Sequence, residues 1–416
     1  MLRIGIVGCG RILNAHLQGY KFLRERGIDS FRITALGARR REDALMFLRR
    51  GEGPAPRPAV LDPATGDPLA APHTYLSDFQ DDVRPLVFTN YHDLIASDQV
   101  DAINDLTTLS QHHQVGLAAL TAGKHLLTEK PLAVTVRAAK RMVELAASRG
   151  LTLGVTENVR QMPAVRAAAW AVRDGLIGRV QLALMGSLGG VWSPDRVVAD
   201  TPWRHQRLPA GGGASIDIGV HQMHWMRYVV GEPASVSALA RTFEPVRHGP
   251  GAAGRTRDQV DAEVDDTYLA TLDFVNGAAG QLWWSWALHG APLAIPGSPA
   301  LFGSAGSIAG GELARDDGSR LPLEPFFEQS LSRAEREEYF PMGLRDPFAI
   351  QNLDWIRAIE QGRDPETSGA EGLRDLAAAF AILESSALGR PVSLEEILSH
   401  SIDRYQRPID AHYGLL

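Results

Sequence analysis

Lysine is scarce in this chain. Only Lys21, Lys124, Lys130 and Lys140 occur among 42 basic residues, and arginine supplies the rest. Cysteine is scarcer still. Cys9 stands alone, which excludes an internal disulfide framework and fits a reducing cytoplasm. Positive charge has no surplus either: 49 acidic residues against 42 basic ones leave a formal net charge of −7. No general affinity for nucleic acid or an anionic membrane is expected from that balance. No run of about 18 apolar residues appears, so no membrane-spanning segment is expected. The apolar stretch before Arg11 is too short for a signal peptide.

What the chain does have is globular composition, with 44% hydrophobic and 22% charged residues over 416 positions. That length suggests two domains rather than one. Arg3–Val7 reads as a short buried strand, Gly8-Cys9-Gly10 follows at once, and residues 11–26 carry helical spacing through Ile12, His16, Tyr20 and Leu23. Further strand–helix pairs follow, and LTLGVTE closes the series. Such alternation predicts a parallel, doubly wound sheet, a Rossmann dinucleotide-binding domain over residues 1–158.

From about residue 179 the pattern changes. RVQLALMGSL, ASVSALART, DTYLATLDFV and AGQLWWSWAL read as consecutive strands, with Asn276-Gly277 as a turn signal. DPFAIQNLDWIRAIEQG and GLRDLAAAFAILESSALG read as helices that stop at glycine. Residues 159–416 are therefore expected to form an α+β domain with a large, mainly antiparallel sheet. Residues 51–72, with six prolines, read as an extended surface loop; 245–262 and 313–345 read as loops too, the last with a short helix at LSRAEREEY.

Strand, Gly8-x-Gly10 and helix at the N-terminus form the opening of a dinucleotide site. Glycine lets the backbone turn tightly and approach a pyrophosphate, whose charge the helix start favours. Leu13 stands where the motif has a third small residue. After the second strand the chain reads Leu36-Gly37-Ala38-Arg39-Arg40-Arg41, with no carboxylate for a ribose 2′-hydroxyl. A guanidinium fork holds a 2′-phosphate bidentately, so Arg39 and Arg40 point to NADP, with NAD as the alternative.

Several motifs together are more specific. They are GCGRI (8–12), Thr107-Thr108-x-x-x-His112, AGKHLLTEKPLA (122–133), DGLIGRV (174–180), GGGASIDIGVH (211–221), FGSAGSI (302–308) and SALGRPVSL (386–394). By these the chain resembles the Gfo/Idh/MocA oxidoreductases, named for glucose–fructose oxidoreductase and inositol dehydrogenase. The resemblance implies that Gly8, Cys9, Gly10, Arg11 and Ile12, with Thr107, Thr108 and His112, contact the cofactor. Thr108 and Leu109 depart from the family's usual proline and asparagine. It further implies that Glu129 lies near the cofactor ribose and that Lys130 contacts the reacting oxygen. Asp217 and His221 would be the substrate-side acid/base pair. The family's open sheet often forms the subunit interface, which implies a homodimer or homotetramer.

The residues allow that chemistry. Oxidising a secondary alcohol requires removing the hydroxyl proton and stabilising the developing alkoxide. Lys130 offers a compact ammonium, and His221 a proton carrier near neutral pH. On one continuous helix, Asp217 and His221 would share a face. Trp203 and Arg204 are candidate substrate contacts, as is Arg160 at the end of the last Rossmann strand. His224 raises the question of a metal pair, but no clustered acids accompany it and no metal is expected. A sugar, amino sugar or cyclitol is the expected substrate, by resemblance. Two rivals stay open: a catalytically silent dinucleotide sensor, and an enzyme that uses tightly bound cofactor for internal redox during hydrolysis or elimination.

Overall fold

The computed structural model describes every residue except 59–60, 63, 65, 190–200 and 249–258. The N-terminal sheet is built from β1 (Leu2–Val7), β2 (Phe31–Gly37), β3 (Leu86–Phe88), β4 (Ala102–Asp105), β5 (His125–Glu129) and β6 (Leu153–Thr156). Its order is β3-β2-β1-β4-β5-β6, and every pairing is parallel. That is the order of a dinucleotide-binding sheet, with the topological switch between β1 and β4. Interleaved are α1 (Leu13–Glu25), α2 (Arg41–Leu45), α3 (Tyr91–Ala96), α4 (Leu109–Thr121) and α5 (Val136–Ser148). All seven residues of β2 and all four of β4 are buried, as strands covered on both faces require.

The second sheet follows α6 (Pro163–Arg173) and begins with β7 (Val180–Leu188). Three short helices come next, α7 (Arg207–Ala210), α8 (Ala214–Asp217) and α9 (Gly219–Val229), and then β8 (Pro233–Arg241). Among the described residues, β9 (Val246–His248) and β10 (Gln259–Asp261) pair only with each other. The main sheet continues through β11 (Thr267–Phe274), β12 (Ala279–Ser285), β13 (Leu293–Ala294), β14 (Ala300–Gly303), β15 (Gly306–Ala309), β16 (Glu312–Arg315) and β17 (Arg320–Pro322). After α10 (Leu323–Ser330), α11 (Arg333–Tyr339), α12 (Pro347–Gln361) and α13 (Gly369–Leu388), β18 (Val392–Ser393) adds the last strand. The sheet has ten strands, antiparallel throughout except where β12 runs parallel to β7. From Tyr268 to Phe274 burial alternates along β11, so one face lies on the core and the other is open.

Two loop readings need correction. Residues 313–345 hold β16, β17, α10 and α11, because Asp317 caps a tight turn (Ser319 N to Asp317 Oδ1, 2.8 Å) and Phe326 and Phe327 pack against Trp170. Within 245–262, β9 and β10 form a small ribbon, and the remainder of that loop falls largely outside the described residues.

Contacts divide the chain into two compact units that do not follow a single boundary at 158. The first comprises Met1–Ala133, Ala139–Gln161 and Glu337–Gly372; the second comprises Val134–Ala138, Met162–Arg336 and Leu373–Leu416. The expected C-terminal helix α12 thus belongs with the first unit. The reason is packing: Gly19 of α1 lies flush against Phe348, where a Cβ would sit 3.0 Å from the Phe348 side chain. Among the described residues, no helix is long and apolar enough to cross a membrane.

Candidate active site

The glycine turn joins β1 to α1. Gly8 has φ +106, and a Cβ there would come 2.5 Å from the Leu106 carbonyl oxygen, so only glycine fits. At Gly10 a Cβ would meet nothing within 4 Å; the backbone there borders open space, as a cradle for a close-approaching pyrophosphate does. These features, at the end of β1 in this strand order, fit a dinucleotide. Leu13, at the motif's third position, is fully buried in the first turn of α1. Burial pushes the Cys9 thiol up to about 12, and its sulfur faces the Gly37 carbonyl at 3.7 Å.

Beyond β2, Arg39 and Arg40 are exposed. Arg40 donates Nε and Nη2 to Asp43 at 3.1 Å each. Asp43 also receives Arg57, which the sequence reading passed over because a proline-rich stretch carries no positional signal. Burial raises the Asp43 pKa, but the two guanidinium groups outweigh it and hold the carboxyl below its usual range.

Lys130 directly follows β5, at the carboxyl ends of the parallel strands, where open α/β sheets bind ligands. Its surroundings are tightly specified. His112 of α4 turns Nδ1 to the Pro131 carbonyl at 2.8 Å and Nε2 to the Thr107 carbonyl at 3.2 Å, tying the β4 and β5 ends together. Thr107 donates through N and Oγ1 to the buried Asp105 at 3.0 and 2.7 Å. Thr108 occupies the N-cap position of α4. Glu129 is held by His16 at 2.7 Å, and Asn104 Nδ2 donates to the other His16 nitrogen at 3.3 Å. His16 looked like one more position on the apolar stripe of α1, yet it is the carboxylate's partner. Arg160, in the short helical turn Asn158–Gln161, pairs with Glu366 at 3.4 Å and approaches Glu371 at 4.0 Å.

In the second unit, Asp217 and His221 do not share one continuous helix, contrary to expectation. α8 ends at Asp217, and Ile218 (φ −103, ψ −40) breaks the ladder. The His221 amide bonds the Ile218 carbonyl at 3.0 Å instead of that of Asp217. His221 therefore lies in the first turn of a new helix, α9, which begins at Gly219. Asp217 accepts Arg204 Nε at 3.1 Å, Arg204 Nη1 donates to Thr201 Oγ1 at 3.0 Å, and the guanidinium lies 4.5 Å over the Trp203 ring. Trp203, Arg204 and Asp217 are thus one assembly.

The start of α8 is clamped from the segment that leads into β11. Asp265 accepts from Gly213 N and Ser215 N at 2.8 Å each and from Ser215 Oγ at 2.9 Å. A Cβ on Gly213 would fall 1.6 Å from the Asp265 carbonyl oxygen, which explains the glycine. Burial raises the Asp265 carboxyl to about 6. His224 lies against buried Asp375 at 2.7 Å. Burial favours the neutral form of Asp375, but His224 and Arg227 together pull its pKa below the usual range.

A parallel sheet of this order with a glycine turn at the end of its first strand defines a dinucleotide-binding domain of the Rossmann class. Two family models match the chain: the oxidoreductase family with NAD-binding Rossmann fold over residues 59–157, and the GFO/IDH/MocA C-terminal domain over 165–309. Together they span more than half of it, and the chain belongs to the Gfo/Idh/MocA family. It is an oxidoreductase with an NAD-binding Rossmann domain.

It is 29% identical over 308 residues to a 1,5-anhydro-D-fructose reductase of Ensifer adhaerens, covering 74% of this chain and 84% of that one. A myo-inositol 2-dehydrogenase of Thermotoga maritima is 26% identical over 399 residues, covering 95% of this chain and all of its own. Among solved structures, levoglucosan dehydrogenase in complex with NADH and L-sorbose superposes with a TM-score of 0.71 at 23% identity, over 95% of this chain and 100% of that one. That likeness establishes the fold.

Proposed function

We propose that this oxidoreductase interconverts a secondary alcohol and a ketone on a sugar, amino sugar or cyclitol, with NADP as the favoured cofactor. The observation that carries the reading is Lys130 at the carboxyl end of β5, between Pro131, whose carbonyl His112 holds, and Glu129, which His16 holds. The relatives' names, a sugar-derivative reductase and an inositol dehydrogenase, support the substrate class.

A bound nicotinamide would supply the hydride acceptor or donor. The Lys130 ammonium stabilises the negative charge on the reacting oxygen. His221 takes the hydroxyl proton during oxidation and returns it during reduction, since an imidazole carries a proton at little cost near neutral pH. Asp217, with Arg204 and Trp203, binds neighbouring hydroxyls: carboxylate and guanidinium fork for the oxygens, indole face for the sugar's apolar face. Arg160 is a further substrate contact. Gly8, Cys9, Gly10, Arg11 and Ile12 take the pyrophosphate, with Thr107, Thr108 and Glu129 toward the nicotinamide ribose. The absence of a carboxylate at 38–41 and the engagement of Asp43 by two arginines support NADP over NAD.

A second copy of this chain is the proposed partner. Leu239 and Leu269, 53% and 50% exposed, pair directly across β8 and β11, and Trp283 continues the row on β12. Leu182 and Phe302 form a second exposed pair on β7 and β14. An apolar sheet face of that kind calls for a covering surface.

Spectrophotometric turnover with NADP⁺ and NAD⁺ against a panel of sugars and cyclitols tests the reading. Hydroxyl-dependent reduction of the nicotinamide is expected. No turnover with any polyol, in a protein that binds cofactor, would favour the silent sensor.

A further inference from the structure

The insertion between α2 and β3 is fastened to the glycine turn from both directions. Arg57 donates Nη1 to the Cys9 carbonyl at 2.9 Å and Nη2 to Asp43 at 2.5 Å. In return, Arg11 of the turn donates Nη1 to the Pro58 carbonyl at 3.0 Å. Between turn and insertion lies a cavity of about 120 Å³, lined by Arg11, Asn14, Arg57, Phe47 and His73 among others. His73 is stacked on Phe47 at 4.8 Å, so that wall is rigid. The Asn14 Oδ1 is buried without a partner among the described residues, an acceptor of the kind a ribose hydroxyl satisfies.

Charge there favours an anion. Arg11 and Arg57 line the cavity, and no carboxylate is among its described lining residues. Asp43 already accepts from two guanidinium groups, so it is not held out as a ribose acceptor. The arginines differ in preparation. The Arg40 side chain is 75% exposed, whereas that of Arg57 is 28% exposed and tied at two points. A guanidinium has five N–H donors, and these bonds use two of them. A donor already fixed in place loses less entropy on binding than a solvated one.

We infer that Arg57 and Pro58, with residues 69–73, complete the adenosine end of the dinucleotide site, with Arg57, beside Arg11, receiving a phosphate monoester on the ribose 2′-oxygen. Arg57, more than Arg39 or Arg40, is then the residue that selects the phosphorylated cofactor. The inference rests on the NADP reading above.

The test is calorimetric binding of 2′,5′-ADP and 5′-AMP to the full-length protein. Wild type is expected to bind 2′,5′-ADP about tenfold or more tightly than 5′-AMP. Arg57→Gln should weaken 2′,5′-ADP by about tenfold or more and 5′-AMP by less than about threefold, the loss of one charge-assisted contact. Equal weakening of both ligands, or of neither, overturns the assignment. Wild type that does not distinguish the two ligands sinks the NADP reading itself. A preference retained in Arg57→Gln but lost in Arg40→Gln sinks only the role of Arg57. Should Arg57→Gln fail to fold by thermal melting, Arg57→Lys replaces it, which keeps the charge but not the guanidinium fork: weakening confined to 2′,5′-ADP supports the site, and equal weakening of both ligands, or of neither, overturns it.

Discussion

His16 Nε2 lies 2.7 Å from Glu129 Oε1, so the helix that leaves the glycine turn also holds the carboxylate beside Lys130. Asn104 donates to His16 Nδ1, which leaves Nε2 to carry the proton that Glu129 accepts. His16, Asn104 and Tyr20 are all fully buried. His16→Ala removes a buried partner and opens a void, and is expected to cost on the order of 3 kcal/mol of stability. It should also raise the KM for cofactor, because Glu129 loses its orientation. Chemical unfolding and initial-rate kinetics measure both, and unchanged values would show the pair to be idle.

Lys130→Ala is expected to lower turnover by about 10²–10³, the usual cost of losing a charge that stabilises a transition-state oxyanion. Cofactor affinity, measured by fluorescence titration, should stay within a few-fold of wild type. Turnover that survives the substitution would remove Lys130 from the chemistry.

Arg204 and Asp217 act as a unit. Arg204→Ala and Asp217→Asn should each reduce kcat/KM for the sugar, and the double variant should lose less than the two losses combined. The coupling expected from this half-buried pair is on the order of 1 kcal/mol. Additive losses would mean that the hydrogen bond between them does not organise the site.

Asp265 sets a pH dependence of stability. Its pKa is raised to about 6 in the fold, from 3.8 in the free side chain, so the folded state binds more protons between those values. Stability from this group is therefore greatest at low pH and declines as pH rises from about 4 to 6. Asp265→Asn lacks that titration. Its deficit against wild type, read from urea midpoints, should be larger at pH 4.5 than at pH 7. A deficit that grows with pH instead would reverse the assignment.

Leu269→Asp puts a charge in the exposed row formed with Leu239 and Trp283. Wild type is expected to run as a dimer or tetramer by light scattering, and the variant as a smaller species with its fold intact. An unchanged mass would place any subunit contact elsewhere.

Much of this was legible along the chain. Alternating strand and helix periods announced the parallel sheet, because strands buried on both faces must be continuously apolar. The glycine turn and Glu129-Lys130-Pro131 were visible because their chemistry depends on adjacent residues. The strands of 313–345 were less so: three- and four-residue strands, with polar residues on an open face, carry little periodic signal.

What local order could not reveal were partners far apart in the chain. Glu129 meets His16 across 113 residues, Gly213 meets Asp265 across 52, and Arg57 meets Cys9 across 48. The break at Ile218 is of the same kind, since nothing in GGGASIDIGVH announces where the helical ladder slips. Composition and spacing determined the fold class and singled out the glycine turn and Lys130 as candidates, because those follow from short-range periodicity and covalent neighbours. The orientation of each carboxylate and guanidinium was decided only in the tertiary structure, because a buried charge takes whichever partner folding brings within hydrogen-bond reach.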